Sequence, residues 1–443
     1  MLERCFKVKA QGSTPRREIL AGGSTFLAAM YIIIVNPTIL SSAGMSFSAA
    51  LTATVLMSFI GSLAMGLYAR NPILVAPGMG LNALFAYTMV LGAGIPIEVA
   101  LGCVFWSGVL FLLLAIFNVR HYVVKAIPAT LRCAIACGIG LFITTIGLVN
   151  AKFVVPNPAT VMGISHMTAP VAVFLIGLAI TGMLTVRKTQ GALIIGVLIT
   201  TLLAWPVGRW FGDGSAYTFG VSSTLVNFQG FISMPDLSGI GQVDFLGALK
   251  LSYVPFIFVI LFTTFFDALS TFMGVCQAGN LFDEKGEPRN MQRAMVVDSI
   301  SALVSAPLGT SPTNAFVESA AGISQGARTG LAAVVCALLF LPFLFLSPLL
   351  QLVPAIATAP ALIMVGVFMV SSIGKIDWAD LEEAVPAFIA MIFIPLTYSI
   401  THGVVFGMLA FVVVKVAKGK FKEVQPAMWI LSILALLLLL TEH

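Results

Sequence analysis

The chain has 443 residues, of which 59% are hydrophobic and 9% are charged, and its mean hydropathy is +1.04. Soluble domains carry about 25% charged residues, so this composition excludes a soluble globular protein and indicates a polytopic α-helical membrane protein. The formal net charge of +5 is small, and its distribution along the chain is more informative than its sum.

The first half of the chain predicts a short cytosolic segment followed by seven spans. Residues 1–18 carry five basic side chains, and the positive-inside rule therefore places them in the cytoplasm. Candidate spans of about 20 residues follow at Ile19–Leu40, Ala49–Ala69, Ile73–Leu91, Pro96–Phe117, Ala129–Val149, Ala169–Val186 and Gly191–Trp210. The connections expected on the cytoplasmic side are basic, as the rule requires, and contain Arg70, Arg120 with Lys125, and Arg187 with Lys188.

The second half repeats this organisation after a polar connector at residues 211–250, which we expect outside the membrane. Its candidate spans are Tyr253–Ala278, Ala294–Leu308, a broken Ser311–Ala327, Thr329–Leu350, Ala355–Ile373, Ala384–Ile400 and Val404–Ala417. A C-terminal segment, residues 419–443, contains the apolar run Met428–Leu440, which is shorter than the roughly 20 residues of a span.

Two sets of seven spans predict two inverted repeats, residues 19–210 and 251–418. The stretch that starts at Ile127 aligns with the one that starts at Val353, an offset of 353 − 127 = 226. The third span of each set is interrupted, by LVAPGMGLNALFAY from Leu74 and by the polar stretch Gly309–Gly330. Matched broken spans in corresponding positions indicate the binding site of a secondary transporter.

The two breaks predict half-helices that begin inside the membrane. We expect one to begin at Gly78–Gly80, and the other to follow Pro312, near Thr313 and Asn314. Free N–H groups at such helix starts create a positive, donor-rich locus. Asn82 and Glu318 then lie near the start of each half-helix, where their side chains can reach a ligand.

Ionisable residues inside the predicted spans point to the same place. Asp267 lies in the middle of the eighth span and Glu318 in the broken tenth span, and such residues usually face a protein interior or a wet cavity. No basic residue is expected at a similar depth to pair with them. Asp298 is either functional or a structural contact to backbone or hydroxyl groups, and Arg132, near an inner helix end, is predicted to extend towards the interface.

Several other classes find no support in the sequence. There is no G-x-x-x-x-G-K-[ST] motif for ATP-driven pumping and no H-E-x-x-H or G-x-S-x-G motif for a membrane enzyme. The six cysteines lack the spacing of a disulfide framework or a metal site, and neither a cofactor nor a nucleic-acid partner is predicted. A secondary transporter is favoured, and a passive channel is the alternative from another class.

Four motifs together resemble the azaguanine-like purine permeases of the nucleobase:cation symporter group, and most closely its bacterial high-affinity adenine permeases. They are APGMGLNA at Ala76, FFDALST at Phe265, VDSIS at Val297 and NAFVESAAGISQGARTGL at Asn314. The resemblance implies the uracil-permease fold of fourteen spans, in which spans 1–4 and 8–11 form a core domain and the others a gate domain. It further implies that spans 3 and 10 are each broken into a short strand and a half-helix, with the two strands antiparallel. It also implies a multi-pass protein of the bacterial inner membrane, with a cytoplasmic N-terminus, acting as a monomer or homodimer.

In this family the third-span Asn, the eighth-span Asp and the tenth-span Glu bind the purine. The matching positions here are Asn82, Asp267 and Glu318, to which we add Gly78, Gly80, Asn314 and Phe316 as candidate binding residues. Thr271 stands where related carriers often have a His, so proton handling is expected to fall more heavily on Asp267 or Glu318, with Asp298 as a further candidate.

The predicted substrate is a purine base, with adenine favoured over guanine or hypoxanthine. Carboxylates can accept the N6 and N9 hydrogens of adenine, and an amide such as Asn82 can pair with N6 and N7. An amide can also turn to suit a 6-oxopurine, so Asn82 alone does not decide the base. Stacking surfaces are expected from Phe26, Tyr31, Phe85 or Phe316. Coupling is expected through one proton carried with each base.

Overall fold

The structure is a computed structural model that describes residues 6–117, 128–157, 161–210, 232–279, 281–282, 288–425, 428–429 and 432. The predictions for the outer connector before residue 232, for the connections with Arg120, Lys125 and Lys285, and for most of Met428–Leu440 lie outside these residues. No ligand or membrane accompanies the chain.

The first half folds into helices that follow the predicted spans closely. The first helix begins at a cap: Thr14 accepts a hydrogen bond from the backbone N–H of Arg17 at 3.3 Å, and Pro15 occupies the first helical position. The helices are α1 (Pro15–Ala29), α2 (Ile32–Ser42), α3 (Phe47–Ala64), α4 (Met79–Ala83), α5 (Ile97–Ile116), α6 (Ala129–Asn150), α7 (Ala169–Val186) and α8 (Ala192–Trp210). The strands are β1 (Val75–Pro77), β2 (Val154–Asn157) and β3 (Val161–Ile164), and π-helical turns extend α3 to Ala69 and α4 to Gly92.

The second half is built in the same way after three-residue turns at Gly247–Leu249 and Leu251–Tyr253. Its helices are α9 (Val254–Gly279), α10 (Met291–Ser305), α11 (Ser319–Ser324), α12 (Gly330–Phe340), α13 (Ser347–Leu350), α14 (Ala355–Val370), α15 (Leu381–Thr397) and α16 (Ile400–Ala417), and its strand is β4 (Thr313–Ala315). Short 3-10 turns follow α12, α14 and α16.

Each predicted span coincides with one or more of these elements, and the mainly helical architecture with broken third and tenth segments is confirmed. The predicted spans Ile19–Leu40 and Thr329–Leu350 are each divided between two helices. Among the described residues, eight helices are long and apolar enough to cross a membrane, and the shorter apolar helices Met79–Gly92, Ala192–Pro206 and Gly330–Phe345 accompany them. The third and tenth spans fall short of full helices because proline interrupts them, at Pro77 and Pro312.

The two interrupted segments meet as an antiparallel two-stranded ribbon. β1 pairs with β4 in the register Val75↔Ala315, Ala76↔Asn314 and Pro77↔Thr313, and all six residues are buried. The ribbon is continued by a hydrogen bond from the Phe316 N–H to the Leu74 carbonyl, at 2.9 Å. Strand pairing satisfies backbone groups that have no water to bind at this depth, so the ribbon makes irregular backbone tolerable inside the protein.

Glycines allow helices to cross at very short separations. Gly140 on α6 and Gly366 on α14 approach each other's backbone, since a Cβ at either position would lie 2.8 or 2.5 Å from the carbonyl oxygen of the other. Their numbers differ by 366 − 140 = 226, the offset that aligns the two halves of the sequence. A reciprocal contact between equivalent residues is what a two-fold relation between the repeats requires.

The helices pack as two bundles. The first bundle comprises α1–α5 and α9–α12, and the second comprises α6–α8 and α14–α16. This division matches the core and gate domains that the family resemblance implies. The bundles touch where α4 meets α6 and α9 meets α16, and also where α1 meets α8 and α2 meets α14. The broken third segment is therefore one of the elements on their boundary.

The N-terminal segment is tied to the end of the broken tenth segment. The buried Glu18 carboxylate accepts hydrogen bonds from the backbone N–H groups of Arg328 and Thr329, at 2.9 and 3.3 Å. Phe6 and Val8 pack against Leu331 on α12. These contacts hold the connection between α11 and α12 on the side that the basic residues predict to be cytoplasmic.

Candidate substrate site

Asp267 and Asn314 come together at the centre of the molecule. Asp267 lies midway along α9, and Asn314 is the central residue of β4. The Asn314 side chain donates from Nδ2 to Asp267 Oδ2 at 2.8 Å and lies 3.3 Å from the Thr264 carbonyl oxygen. Asn314 is fully buried and Asp267 only partly, so the ribbon holds this carboxylate by one oxygen and leaves it otherwise accessible.

Glu318 is held by a hydroxyl from the first segment. Tyr31, between α1 and α2, donates its hydroxyl to Glu318 Oε1 at 2.6 Å. Glu318 is the residue that immediately precedes α11, where a negative charge is favoured by the helix dipole. The expectation that this half-helix begins at Thr313 and Asn314 is wrong, because these residues form β4 and the helix begins at Ser319. Pairing with β1 keeps residues 313–315 extended.

Asn82 belongs to a separate buried hydrogen-bond network. It lies in α4, and its Oδ1 accepts from the Ser311 hydroxyl. Ser311 also lies 3.4 Å from Asn36 Oδ1, and Asn36 donates to Thr54 at 2.7 Å. All these groups are buried, so in this conformation Asn82 joins α2, α4 and the segment before β4 rather than facing an open space.

The first half-helix begins as the sequence predicts. Gly78 precedes α4 with an extended backbone, and its N–H donates to the Pro312 carbonyl at 3.1 Å. Gly80, in the first turn of α4, faces α6: a Cβ at this position would lie 2.6 Å from Ile139 Cγ2. Glycine at position 80 therefore permits the close approach of the two bundles beside the site.

A cavity that is partly open to solvent lies between the two bundles. Two helix faces form its walls, since residues at spacings of three and four share one side of a helix. The α9 wall is Phe262, Thr263, Phe266, Asp267 and Ser270, and the α6 wall is Arg132, Ile135, Ala136 and Ile139. Gly80, Leu81, Met369, Val404 and Met408 complete the lining.

The candidate binding residues divide by their relation to this cavity. Asp267 and Gly80 line it. Asn314 contacts it through Asp267. The remaining candidates, Asn82, Glu318, Gly78, Thr271 and Phe316, are outside its lining, and so are the stacking candidates Phe26, Tyr31 and Phe85.

The sequence interpretation missed two lining side chains. Phe266 supplies an aromatic face, with the Phe262 ring stacked on it at 6.3 Å between centroids. Arg132 was expected to extend towards the interface, but its guanidinium carbon lies 5.1 Å from the centroid of the Phe266 ring. The spacing of Arg132, Ile135, Ala136 and Ile139 was a usable signal, because it places the arginine on one helix face with three cavity residues.

Asp298 is buried differently from the other two acids. It lies in the middle of α10 with no exposed surface, and neither of its carboxyl oxygens has a hydrogen-bond partner among the described residues. The Ala315 backbone N–H of β4 lies near enough to act on this carboxyl group, so the alternative of a structural contact to backbone stays a prediction. Nor does the described part of the chain contain a group of three His, Cys, Asp or Glu residues that could hold a metal ion.

Comparison with known proteins identifies the protein family. Residues 16–432 match the model of the Permease family. The chain is 41% identical to adenine permease AdeP of Escherichia coli over 99% of its own length and 95% of that protein. It is 37% identical to guanine/hypoxanthine permease PbuO of Bacillus subtilis over 97% of its length and 98% of that protein.

Solved structures share the fold at low sequence identity. The transmembrane domain of the cyanobacterial bicarbonate transporter BicA matches with a TM-score of 0.65 at 15% identity, covering 87% of this chain and 97% of that one. Murine Slc26a9, an anion transporter in an inward-facing state, matches with a TM-score of 0.62 at 11% identity, covering 91% and 68%. Fold and site thus define a multi-pass membrane transporter with a central cavity between two bundles. The chain belongs to the Permease family.

Proposed function

We propose that this permease imports a purine base, most favourably adenine, together with a proton. The observation that carries the proposal is Asp267: its carboxylate faces the cavity between the bundles and is oriented by Asn314 of the broken tenth segment. A carboxylate accepts hydrogen bonds only, so it suits the N–H edge of a base. The full-length similarity to AdeP and AdeQ, at 41% and 40% identity, supports adenine.

The other candidate residues complete the site when the bundles move. Glu318 and Asn82 lie on the two interrupted segments, each held by a single hydroxyl group, from Tyr31 and Ser311 respectively. Exchange of these hydroxyl contacts for contacts to the base costs little, because one hydrogen bond replaces another. We therefore assign Asn82, Asp267 and Glu318 to base binding, with Gly78, Gly80, Asn314, Phe316 and Thr271 shaping their surroundings.

Coupling of base transport to proton transport would follow from the charge of these acidic residues. A buried carboxylate that forms no ion pair is stabilised by taking up a proton, and we assign this role to Asp267, Glu318 or Asp298. One charge moved across 100 mV is worth about 2.3 kcal/mol, which corresponds to roughly fifty-fold accumulation of the base. Alternating exposure of the cavity would arise from movement of the first bundle against the second, in a bacterial inner membrane with the N-terminus in the cytoplasm.

The experiment is uptake of labelled adenine by cells that lack their own purine carriers, with and without a protonophore. We expect concentrative uptake that the protonophore abolishes. If adenine only equilibrates across the membrane, and the protonophore has no effect, the protein would instead be a channel or facilitator. The second candidate function is symport of guanine and hypoxanthine, which the similarity to PbuO favours. Unlabelled guanine and hypoxanthine, added as competitors, test it. Strong competition by hypoxanthine would transfer the specificity to 6-oxopurines.

Glu318→Gln tests the role of the tenth-segment acid in the same assay. The substitution preserves shape and can still accept the Tyr31 hydroxyl, but it carries neither charge nor proton. We expect adenine binding to weaken or uptake to become uncoupled from the proton gradient. Normal concentrative uptake by this variant would remove Glu318 from the mechanism.

A further inference from the structure

Arg132 is the charged side chain that the second bundle contributes to the cavity. Among the described lining residues from that bundle, the others are Ile135, Ala136, Ile139, Met369, Val404 and Met408, all apolar. Asp267 is the charged group on the opposite wall. The cavity therefore has an acid on the first bundle and a guanidinium on the second.

The position of Arg132 is electrostatically unfavourable in the absence of a ligand. It is the fourth residue of α6, close to the helix N-terminus, where the helix dipole disfavours a cation. Its Nε is buried and has no hydrogen-bond partner in the described part of the chain. An unsatisfied buried donor destabilises the protein, and the contact with the Phe266 face offsets part of this cost. Contacts within the protein thus leave the donors of this guanidinium incompletely used.

The two walls select for a particular ligand chemistry. A guanidinium only donates hydrogen bonds, and a carboxylate only accepts them. A ligand that satisfies both presents acceptors at one edge and N–H donors at another, and the Phe266 ring favours a flat aromatic body. A free anion would be repelled by Asp267, and an amine by Arg132. Heteroaromatic bases have the required combination.

We propose that Arg132 is a specificity-determining residue that donates to an acceptor nitrogen of the transported purine, opposite the N–H edge read by Asp267. This inference rests on the proposed function and adds a residue from the second bundle to the site. Because the base then forms hydrogen bonds with residues of both bundles, its binding favours the approach of the two bundles. The same donor fork would pair with the O6 and N7 atoms of a 6-oxopurine, as arginine does with guanine.

The test combines substitutions of Arg132 with analogues that lack one ring acceptor. Binding of adenine and of its 1-deaza, 3-deaza and 7-deaza analogues is measured by calorimetry on the purified full chain, for wild type, R132Q and R132K. In wild type we expect one analogue to bind about tenfold or more weakly than adenine, the usual effect of losing a charged hydrogen bond. In R132Q adenine should bind as weakly as that analogue, and in R132K the discrimination should be partly retained.

Arg293 provides the matched control. Its guanidinium carbon lies 5.9 Å from the Tyr68 ring centroid, a similar contact outside the cavity lining. R293Q should bind all four compounds as wild type does. R132Q or R132K that keeps the full wild-type discrimination against every analogue would overturn the role of Arg132, and R132K decides this if R132Q does not fold. If the wild-type protein binds no purine, the proposed function itself is overturned. This result differs from the loss of the Arg132 role alone, in which the wild type still binds adenine.

Discussion

Asn314 links the ribbon between the interrupted segments to the acid in the cavity. It occupies the centre of β4, opposite Ala76, and its side chain serves three backbone or side-chain groups at once. Its Oδ1 accepts from the Ala315 N–H at 3.0 Å, which fixes the amide so that Nδ2 points at Asp267. A buried amide with both ends occupied is a rigid support for a binding group.

Asn314→Ala should therefore weaken adenine binding by about tenfold or more, because a hydrogen bond to a charged group contributes about 1.5–3 kcal/mol. The measurement is the dissociation constant of adenine for the purified protein. Asn71 is the matched control, since its Nδ2 donates to the Arg289 carbonyl at 3.1 Å, away from the cavity. Equal affinities for N314A and N71A would show that orientation of Asp267 by Asn314 does not matter.

At the scale of elements, close helix crossings set the geometry around the ribbon. α3 and α12 cross at Gly66 and Gly330, where a Cβ on Gly330 would lie 2.0 Å from the Gly66 carbonyl oxygen. Backbone atoms cannot yield as a flexible side chain does, so the two helices must separate if either glycine is enlarged. Close packing through small residues is the usual basis of helix association inside membranes.

Gly330→Ala is expected to destabilise the fold by about 1–3 kcal/mol, the usual effect of overpacking. The melting temperature of the detergent-purified protein measures it. Gly182→Ala on α7 is the control, because a Cβ there would meet no atom within 4 Å. It should leave the melting temperature unchanged or raise it, since alanine is the better helix former. Equal melting temperatures for the G330A and G182A variants would contradict a close crossing of α3 and α12.

A cluster of ion pairs joins α15 to the end of α16. Glu382 lies within 2.9 Å of Lys415, 3.0 Å of Lys418 and 2.8 Å of Lys420. The hydrogen bonds from Lys420, then Lys415 and Lys418, lower the pKa of the Glu382 carboxyl to about 2. Because the pKa is lower in the folded protein than in the unfolded chain, this carboxylate stabilises the fold above about pH 4.5. The stabilisation is lost as the pH falls towards 2.

Glu382→Gln should lower the melting temperature at pH 7, and by the same amount at pH 5.5. The gap to wild type should narrow only below about pH 4.5, the ordinary pKa range of a glutamate. Melting curves at a series of pH values test this, with Glu383→Gln from the same helix turn as the comparison. A gap that closes near neutral pH would mean that another group, and not Glu382, is responsible.

At the scale of the whole molecule, the cavity between the bundles is the space that the proposed alternating access would open and close. α4 of the first bundle and α6 of the second meet there at Gly80 and Ile139, where an ideal Cβ on Gly80 would lie 3.9 Å from Ile139 Cβ. This separation falls within the about 3.5–4.5 Å that a disulfide requires. A bond at this place would join the two bundles.

Oxidation of a Gly80→Cys, Ile139→Cys double variant, in a background without the native cysteines, should abolish adenine uptake, and a reducing agent should restore it. Comparison of the oxidised and reduced forms of one protein separates the effect of the disulfide on uptake from the effect of the two substitutions. The control is Ala49→Cys with Gly239→Cys, where an ideal Cβ on Gly239 would lie 3.5 Å from Ala49 Cβ and a bond would join α3 to its neighbouring outer loop. Undiminished uptake by the oxidised Gly80–Ile139 pair would argue against relative movement of the bundles.

Hydropathy, proline and charge placement along the sequence determined the spans, the two interruptions and the depth of Asp267 and Glu318. These features are local: a span needs only its own apolar residues, and a proline breaks the helix in which it lies. The 226-residue offset that aligns the two halves also relates Gly140 to Gly366, whose backbones approach each other in the structure. For the same reason the start of α4 after Gly78 was predictable from its own residues.

Only the tertiary structure decided which side chains share the cavity. β1 and β4 lie 314 − 76 = 238 residues apart at their central pair, and their pairing, invisible in either segment alone, moved the start of α11 to Ser319. The rotation of α6 against α9 places Arg132 over the Phe266 ring and in the lining of the cavity that Asp267 also lines. Packing of distant segments sets such rotations, so the set of side chains that line the cavity is a property of the assembled bundles.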